Sequence, residues 1–319
     1  MSEGSLTPAV VTDPKAPGFV RLADRARRAP RADELVVEVG AFSLNRGELR
    51  FAANRPPGTA IGWDVGGTVV EAAATGDGPA VGTRVVGFSR AQEGWNKRVC
   101  LPVRDVATLE EGISLEVAAS LPVAAGTALA CLEAAGPLLG RRVFVTGVTG
   151  GVGGFAVKLA RLGGARVIAQ VRRDEQRGTA TALGADDVVV TADGSVLEKY
   201  GPFDAVIDGI GGRLFQAGVA ALTADGVAIS YGVTGAPSVE LPLGALLGKG
   251  RARVRGLNLY AVSDVVPPAV WLSRLVRLVG SGRLAVDELR VSSWRDVGEV
   301  AQALLDRSFS GKAVLTVDA

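Results

Sequence analysis

Residues 143–173 read VFVTGVTGGVGGFAVKLARLGGARVIAQVRR, with seven glycines between a short apolar run and a pair of arginines. The opening RVFVTG suits a strand. VGGFAVKLARLGG suits a helix, with Val152, Phe155, Ala156, Leu159 and Ala160 on one face, and ARVIAQV returns to strand. A glycine-rich turn between a strand and a helix serves a phosphate in two ways. It permits tight backbone angles and close approach of main-chain N–H groups, while the helix behind it presents unpaired amides and the positive end of its dipole. With a second strand about 20 residues on, the spacing is that of a dinucleotide site. Thr149, Gly150, Gly151, Val152 and Gly153 are the residues placed to hold it.

The end of the second strand selects the dinucleotide. An NAD site closes this strand with Asp or Glu, which hydrogen-bonds the ribose 2′-hydroxyl. Here Gln170 and Val171 run into Arg172 and Arg173. Guanidinium groups bind a 2′-phosphate through charge-assisted, often bidentate hydrogen bonds, and a carboxylate would repel it. The pattern predicts NADPH; the other reading is a solvated basic loop.

Outward from this stretch the texture changes. From about residue 120, DDVVVT, DAVIDGI and GVAISYG are short apolar runs alternating with helical segments, which predicts a doubly wound parallel sheet. The first third is β-rich and broken by glycine, in LVVEVGAFSLN, VGGTVVEAAATG and VGTRVVGF, as in a small barrel or sandwich. Beyond about Val265, AVWLSRLVRLVGSGRL and VGEVAQALLDRSF predict long amphipathic helices, and GKAVLTVDA predicts a closing strand.

Composition narrows the chemistry. The 319 residues are 48% hydrophobic and 21% charged, as in a globular protein of about two domains. A formal net charge of +2, with no basic block, gives no electrostatic case for nucleic acid or an anionic membrane. Cys100 and Cys131 form neither a metal-type spacing nor a disulfide framework, and MSEGSLTPAV lacks the features of a signal peptide, so a cytoplasmic protein is expected. Residues 117–139 look membranous, with Glu133 as the single charge. Their alanine content and Pro122, Gly126 and Pro137 instead suit a buried helix against a sheet. The chain has no histidine, which excludes Ser-His-Asp triads and His-ligated metal sites.

SLNRGELR, GWDVGGTVVE, VGTRVVGF, AASLPVAAGTALACL, TGVTGGVGGFAVKLAR, ALGADDVV and the closing GKAVL occur in an order that resembles the medium-chain dehydrogenases/reductases. The likeness spans nearly the whole chain and is strongest to the zinc-independent quinone oxidoreductase and enoyl reductase branch. It implies an α/β protein in which a GroES-like β-rich domain, residues 1–119 with 265–319, is interrupted by a doubly wound parallel-sheet Rossmann domain, residues 120–264. The nicotinamide is expected in the cleft between them. Zinc-dependent relatives carry a cysteine ligand where this chain has Asn45, and Gly-His-Glu where it has Gly62-Trp63-Asp64, so no metal is expected. By the same resemblance Asn45 and Thr127 lie near the reacting atoms, although Asn45 equally suits a turn and Thr127 a helix cap. Tyr231, Gly232 and Val233, ending a Rossmann strand, and Leu257, Asn258 and Leu259 are implied to pass the nicotinamide. Lys312, in the closing motif, is implied to reach the cleft and equally suits the surface. Phe51 stands near the position where many relatives offer a tyrosine, and Thr191 where they often have another.

The implied activity is NADPH-dependent hydride transfer to a quinone or an α,β-unsaturated carbonyl, small-molecule acceptors in which conjugation spreads the developing charge. Solvent then serves as the proton source. A tailoring reductase of a larger carbonyl or imine intermediate and a catalytically silent NADPH-binding module are the alternatives. The resemblance also implies a homodimer, paired edge to edge through the strand around Val227–Tyr231 or its neighbour near Val254–Leu259, which would remove an exposed sheet edge.

Overall fold

The computed structural model describes residues 6–241, 243–287 and 289–318, and the chain forms two compact units. One unit comprises the residues up to Gly126 together with those from Ser263 onward; the other runs from Thr127 to Val262.

The second unit is built on a six-stranded parallel sheet. In spatial order its strands are Asp187–Val190, Arg166–Val171, Arg142–Val145, Phe203–Asp208, Leu222–Ser230 and Arg253–Gly256. Numbered along the chain, that is the order 3-2-1-4-5-6 of a doubly wound sheet. Phe144, Ile168, Val189, Phe203, Val206 and Ala228 are buried because helices such as Gly151–Leu162 and Gly212–Ala220 cover the sheet, so strand residues on both faces must be apolar. The switch in winding direction falls between Arg142–Val145 and Phe203–Asp208. The loops at their carboxyl ends are therefore where such a fold takes its ligand.

The first unit draws one seven-stranded sheet from both chain ends. Its central strand, Glu34–Ser43, pairs antiparallel with Asp64–Glu71 and Arg98–Pro102, and also with the closing strand Lys312–Thr316. Trp95, Phe42 and Leu101 lie fully buried in its core. The alanine-rich stretch forms two helices, Leu115–Ala119 and Pro122–Ala135. Gly126 is required there, since a Cβ would lie 2.7 Å from the Trp271 ring. No helix among the described residues is long and apolar enough to cross a membrane.

Three details depart from the sequence expectations. A hairpin of Leu6–Thr12 with Val20–Ala26 precedes the strands read from the apolar pattern. The tail also holds a strand, Leu289–Ser293, whose sequence LRVSS has too little apolar content to announce itself. Leu222–Ser230 is paired on both sides, by Phe203–Asp208 and Arg253–Gly256, so the stretch around Val227–Tyr231 presents no edge to a second copy. Arg253–Gly256 is one of the sheet's two edge strands, and Asp187–Val190 is the other.

Candidate functional site

The glycine loop follows the strand Arg142–Val145 at the switch point. Gly147 adopts a left-handed conformation, with φ of 60°, and Gly150 is extended and caps the helix that starts at Gly151. A Cβ on Gly153 would lie 2.5 Å from the Gly147 carbonyl oxygen and 2.9 Å from Val148 Cα. The helix start is thus pressed against the loop, and only glycine fits the contact. Thr149, Gly150, Gly151 and Val152 are half-buried there, at the helix end whose amides lack partners within the helix. A pyrophosphate suits this cradle.

Side chains that sequence reasoning passed over hold the cradle in shape. Gln170 is fully buried; its Oε1 accepts from the Gly147 N–H (2.9 Å) and its Nε2 donates to the Thr191 carbonyl (2.6 Å). Across the switch point, Thr146 donates its hydroxyl to Asp208 Oδ1 (2.7 Å). Asp208 Oδ2 accepts from the N–H groups of Ile210 (3.1 Å) and Gly211 (2.7 Å), fixing the next loop. Burial pushes the Asp208 carboxyl above the usual range, against these hydrogen bonds.

Arg172 and Arg173 are both exposed just beyond the second strand. Their N–H groups donate to Gln176 Oε1 (3.1 and 3.2 Å), so one amide side chain sets the path of the loop that carries both guanidinium groups. Tyr231, Gly232 and Val233 follow the end of Leu222–Ser230. The Tyr231 ring lies over Gly209, where a Cβ would sit 2.5 Å from it, and Val233 is 44% exposed. Leu257 donates its N–H to the Ser230 carbonyl (2.8 Å). Asn258 Oδ1 accepts from Tyr260 N–H (2.8 Å), capping the helix Leu259–Val265, and Leu259 is buried.

In the first unit, Asn45 caps the helix Arg46–Ala52 and belongs to a polar cluster built on Ser43, Glu48, Asp64 and Lys312. Glu48 Oε2 accepts from the Asn45 N–H (2.7 Å) and Nδ2 (3.1 Å), and its Oε1 from Trp63 N–H (2.5 Å). Asn45 Nδ2 also donates to Asp64 Oδ2 (2.8 Å). Lys312 is 5% exposed, and its ammonium donates to the Leu44 carbonyl (3.0 Å), Asn45 Oδ1 (2.5 Å) and Asp64 Oδ2 (3.1 Å). Burial, then the Asp64 charge, push the Glu48 carboxyl up to about 8, against the opposing pull of Lys312 and the two N–H donors. Thr127 is buried within the helix Pro122–Ala135 and lies past the position of a cap.

A family model described as zinc-binding dehydrogenase matches residues 151–273. The chain is 27% identical over 310 residues to a phenolphthiocerol/phthiocerol polyketide synthase protein of Mycobacterium tuberculosis, covering 91% of this chain and 14% of that protein. It is 26% identical to the quinone oxidoreductase-like protein 2 of Bos taurus, over 80% of this chain and 76% of the relative. These matches support the medium-chain dehydrogenase/reductase superfamily. Among solved structures, a mycobacterial protein complexed with NADPH superposes with a TM-score of 0.86 at 24% identity, over 98% of this chain and all of that one (100%). The CurK enoyl reductase superposes with a TM-score of 0.84 at 20% identity, over 98% and 100%. The chain thus spans about one seventh of the length of the polyketide synthase it matches.

Beside Asn45 and Trp63, the acids Asp64 and Glu48 are engaged by an internal ammonium and by N–H groups. No cluster of three or more His, Cys, Asp or Glu suited to a metal occurs among the described residues. Phe51 is 48% exposed and meets Trp63 edge-on at 5.9 Å between ring centroids.

Proposed function

We propose that the chain is an NADPH-dependent reductase that passes hydride to a quinone or an α,β-unsaturated carbonyl without a metal ion. The observation that carries the reading is the second unit's cradle: a glycine loop and helix start that a Cβ would fill, followed by Arg172 and Arg173 in place of an acidic strand end. Glycine N–H groups hold a pyrophosphate there, and the arginines meet a 2′-phosphate. When bound, NADPH supplies the hydride.

The protein's share is binding, orientation and exclusion of water. In the acceptor, a new C–H or O–H bond forms with the delivered hydride, the π electrons move onto the conjugated oxygen, and a proton from solvent completes the reduction. Histidine is absent from the chain, and Phe51 offers no hydroxyl. The metal-free reading is supported by the cluster around Asn45, where Lys312 supplies the positive charge. Thr127 is the proposed contact to the nicotinamide or acceptor, and Asn45 acts through its placement. Tyr231, Gly232, Val233, Leu257, Asn258 and Leu259 are proposed to line the nicotinamide. The protein is proposed to work as a homodimer.

A second reading, a biosynthetic tailoring reductase acting on a larger intermediate, is favoured by the match of nearly the whole chain to a segment of a polyketide synthase. One acceptor panel separates the two. NADPH oxidation is followed with quinones, small enones, enoyl thioesters and aldehydes. Turnover of quinones or small enones is expected. Turnover confined to enoyl thioesters favours the tailoring enzyme, and tight NADPH binding without oxidation by any acceptor overturns the enzymatic reading.

A further inference from the structure

Asp64 is fully buried, and its two oxygens face different partners. Oδ1 accepts the Val123 N–H (2.9 Å) in the first turn of the helix Pro122–Ala135, which carries Thr127. Oδ2 accepts from Asn45 Nδ2 (2.8 Å), from Lys312 Nζ (3.1 Å) and from the Ser43 hydroxyl. A primary ammonium has three hydrogens, and Lys312 directs one each to Leu44, Asn45 and Asp64. None remains for a cofactor or substrate. Asn45 is committed in the same way: the two hydrogens of Nδ2 go to Glu48 and Asp64.

Neither side chain is therefore arranged to donate to an incoming oxygen. What the cluster does is fix orientation. With an ammonium on Oδ1 and acceptor oxygens of Glu48 and Asp64 on Nδ2, the Asn45 carboxamide has a single satisfactory setting, because a flip would set donor against donor and acceptor against acceptor. We propose that the buried Asp64–Lys312 pair is the positioning element of the acceptor site, holding the Asn45 turn and the first turn of the 122–135 helix in one arrangement. The pair rests on the reductase reading above, but its effect on structure does not. Removing Lys312 leaves Asp64 and Glu48 together without a cation, and neutralising Asp64 leaves a buried ammonium without its counter-charge; either loosens the cluster.

The test compares Lys312→Met, Asp64→Asn and the double variant in the full chain. With a benzoquinone as acceptor, each single variant is expected to lose about tenfold or more in kcat, with Kd for NADPH within about twofold, as misplacement of a reacting group requires. The primary isotope effect with NADPH deuterated at C4 rises as hydride transfer becomes limiting, a change that lowered stability alone does not produce. The double variant, with neither charge left alone, loses less than the product of the singles. Single variants that keep kcat within about twofold and an unchanged isotope effect overturn the proposal. If wild type binds NADPH but oxidises it with no acceptor, the reductase reading fails, and hydrogen exchange decides the positioning claim. Faster exchange at 43–48 and 122–126 in Lys312→Met, with 147–153 unchanged, supports it; unchanged exchange overturns it. Should Lys312→Met not fold, Lys312→Arg gives the same comparison, since a planar guanidinium does not meet three acceptors arranged for an ammonium.

Discussion

Arg172 and Arg173 leave the second strand from a loop tied at both N–H groups to Gln176, so their guanidinium groups start from fixed points. Losing a charged hydrogen-bond partner commonly costs ~1.5–3 kcal/mol, so the Arg172→Ala, Arg173→Ala double variant is expected to weaken NADPH binding at least tenfold while leaving NADH binding unchanged. Dissociation constants for both cofactors check this; equal effects on the two would remove the basis for NADPH selection. Glu48 gives a second expectation at this scale. Its carboxyl is raised from 4.5 to about 8 by burial and by Asp64, so the folded state holds a proton that the unfolded chain has already released. Stability from this group is therefore full at acid pH and is lost as pH rises toward 8. Asp105, raised by burial to about 6, adds to the slope only up to about pH 7, where Glu48 alone continues, and no histidine titrates in the interval. Thermal unfolding of wild type is expected to fall between pH 6 and 8, and Glu48→Gln to flatten that slope; parallel slopes would refute the assignment.

At the scale of elements, two adjacent glycines of one helix carry opposite expectations. A Cβ on Gly153 meets only backbone, the Gly147 carbonyl at 2.5 Å and Val148 Cα at 2.9 Å, and no rotamer change relieves it. On Gly154 the nearest atoms are the Val148 carbonyl at 3.4 Å and Leu183 at 3.6 Å, ordinary contacts. Gly154→Ala is therefore expected to stabilise by up to ~1 kcal/mol through helix propensity. Gly153→Ala is expected to lower the unfolding midpoint and to weaken NADPH binding about tenfold or more, since ~1.4 kcal/mol of lost contact suffices. Calorimetry and titration of the two variants decide it. The glycine pattern of this element was legible in the sequence because strand, turn and helix are contiguous and each has its own period. Gln170 was not, because a polar residue in an apolar strand reads as noise until the strand is paired and its amide is seen to bridge Gly147 and Thr191. Asp64 and Lys312 were still less legible as a pair. They lie 248 residues apart and meet only because the closing strand runs antiparallel to Glu34–Ser43.

At the scale of the whole molecule, the parallel sheet ends in two edge strands, Asp187–Val190 and Arg253–Gly256. Arg253–Gly256 pairs with Leu222–Ser230 on one side, and its four residues are exposed. Its pattern, RVRG, is too short and too polar to announce a strand, so its place at the edge was set by topology and could not be read from periodicity. Arg251 donates its N–H to the Ala224 carbonyl (3.0 Å) and Leu257 to the Ser230 carbonyl (2.8 Å), so odd-numbered amides face the ladder. By the two-residue period of a strand, the N–H of Val254 then points outward. Val254 is 38% exposed, and Leu243 and Leu247 on the preceding short helix are 69% and 78% exposed. An open edge with apolar neighbours invites a partner, and a twofold mate of the same strand satisfies it with a self-complementary, closed pairing. Light scattering is expected to give twice 32.6 kDa at micromolar concentration. Val254→Pro removes only the outward donor, a substitution that edge strands accept, and leaves the inner ladder in place. It is expected to give 32.6 kDa with NADPH binding retained, because the cradle lies on other strands. A wild-type mass of 32.6 kDa, or a Val254→Pro variant that remains dimeric, would mean that this edge is not the interface.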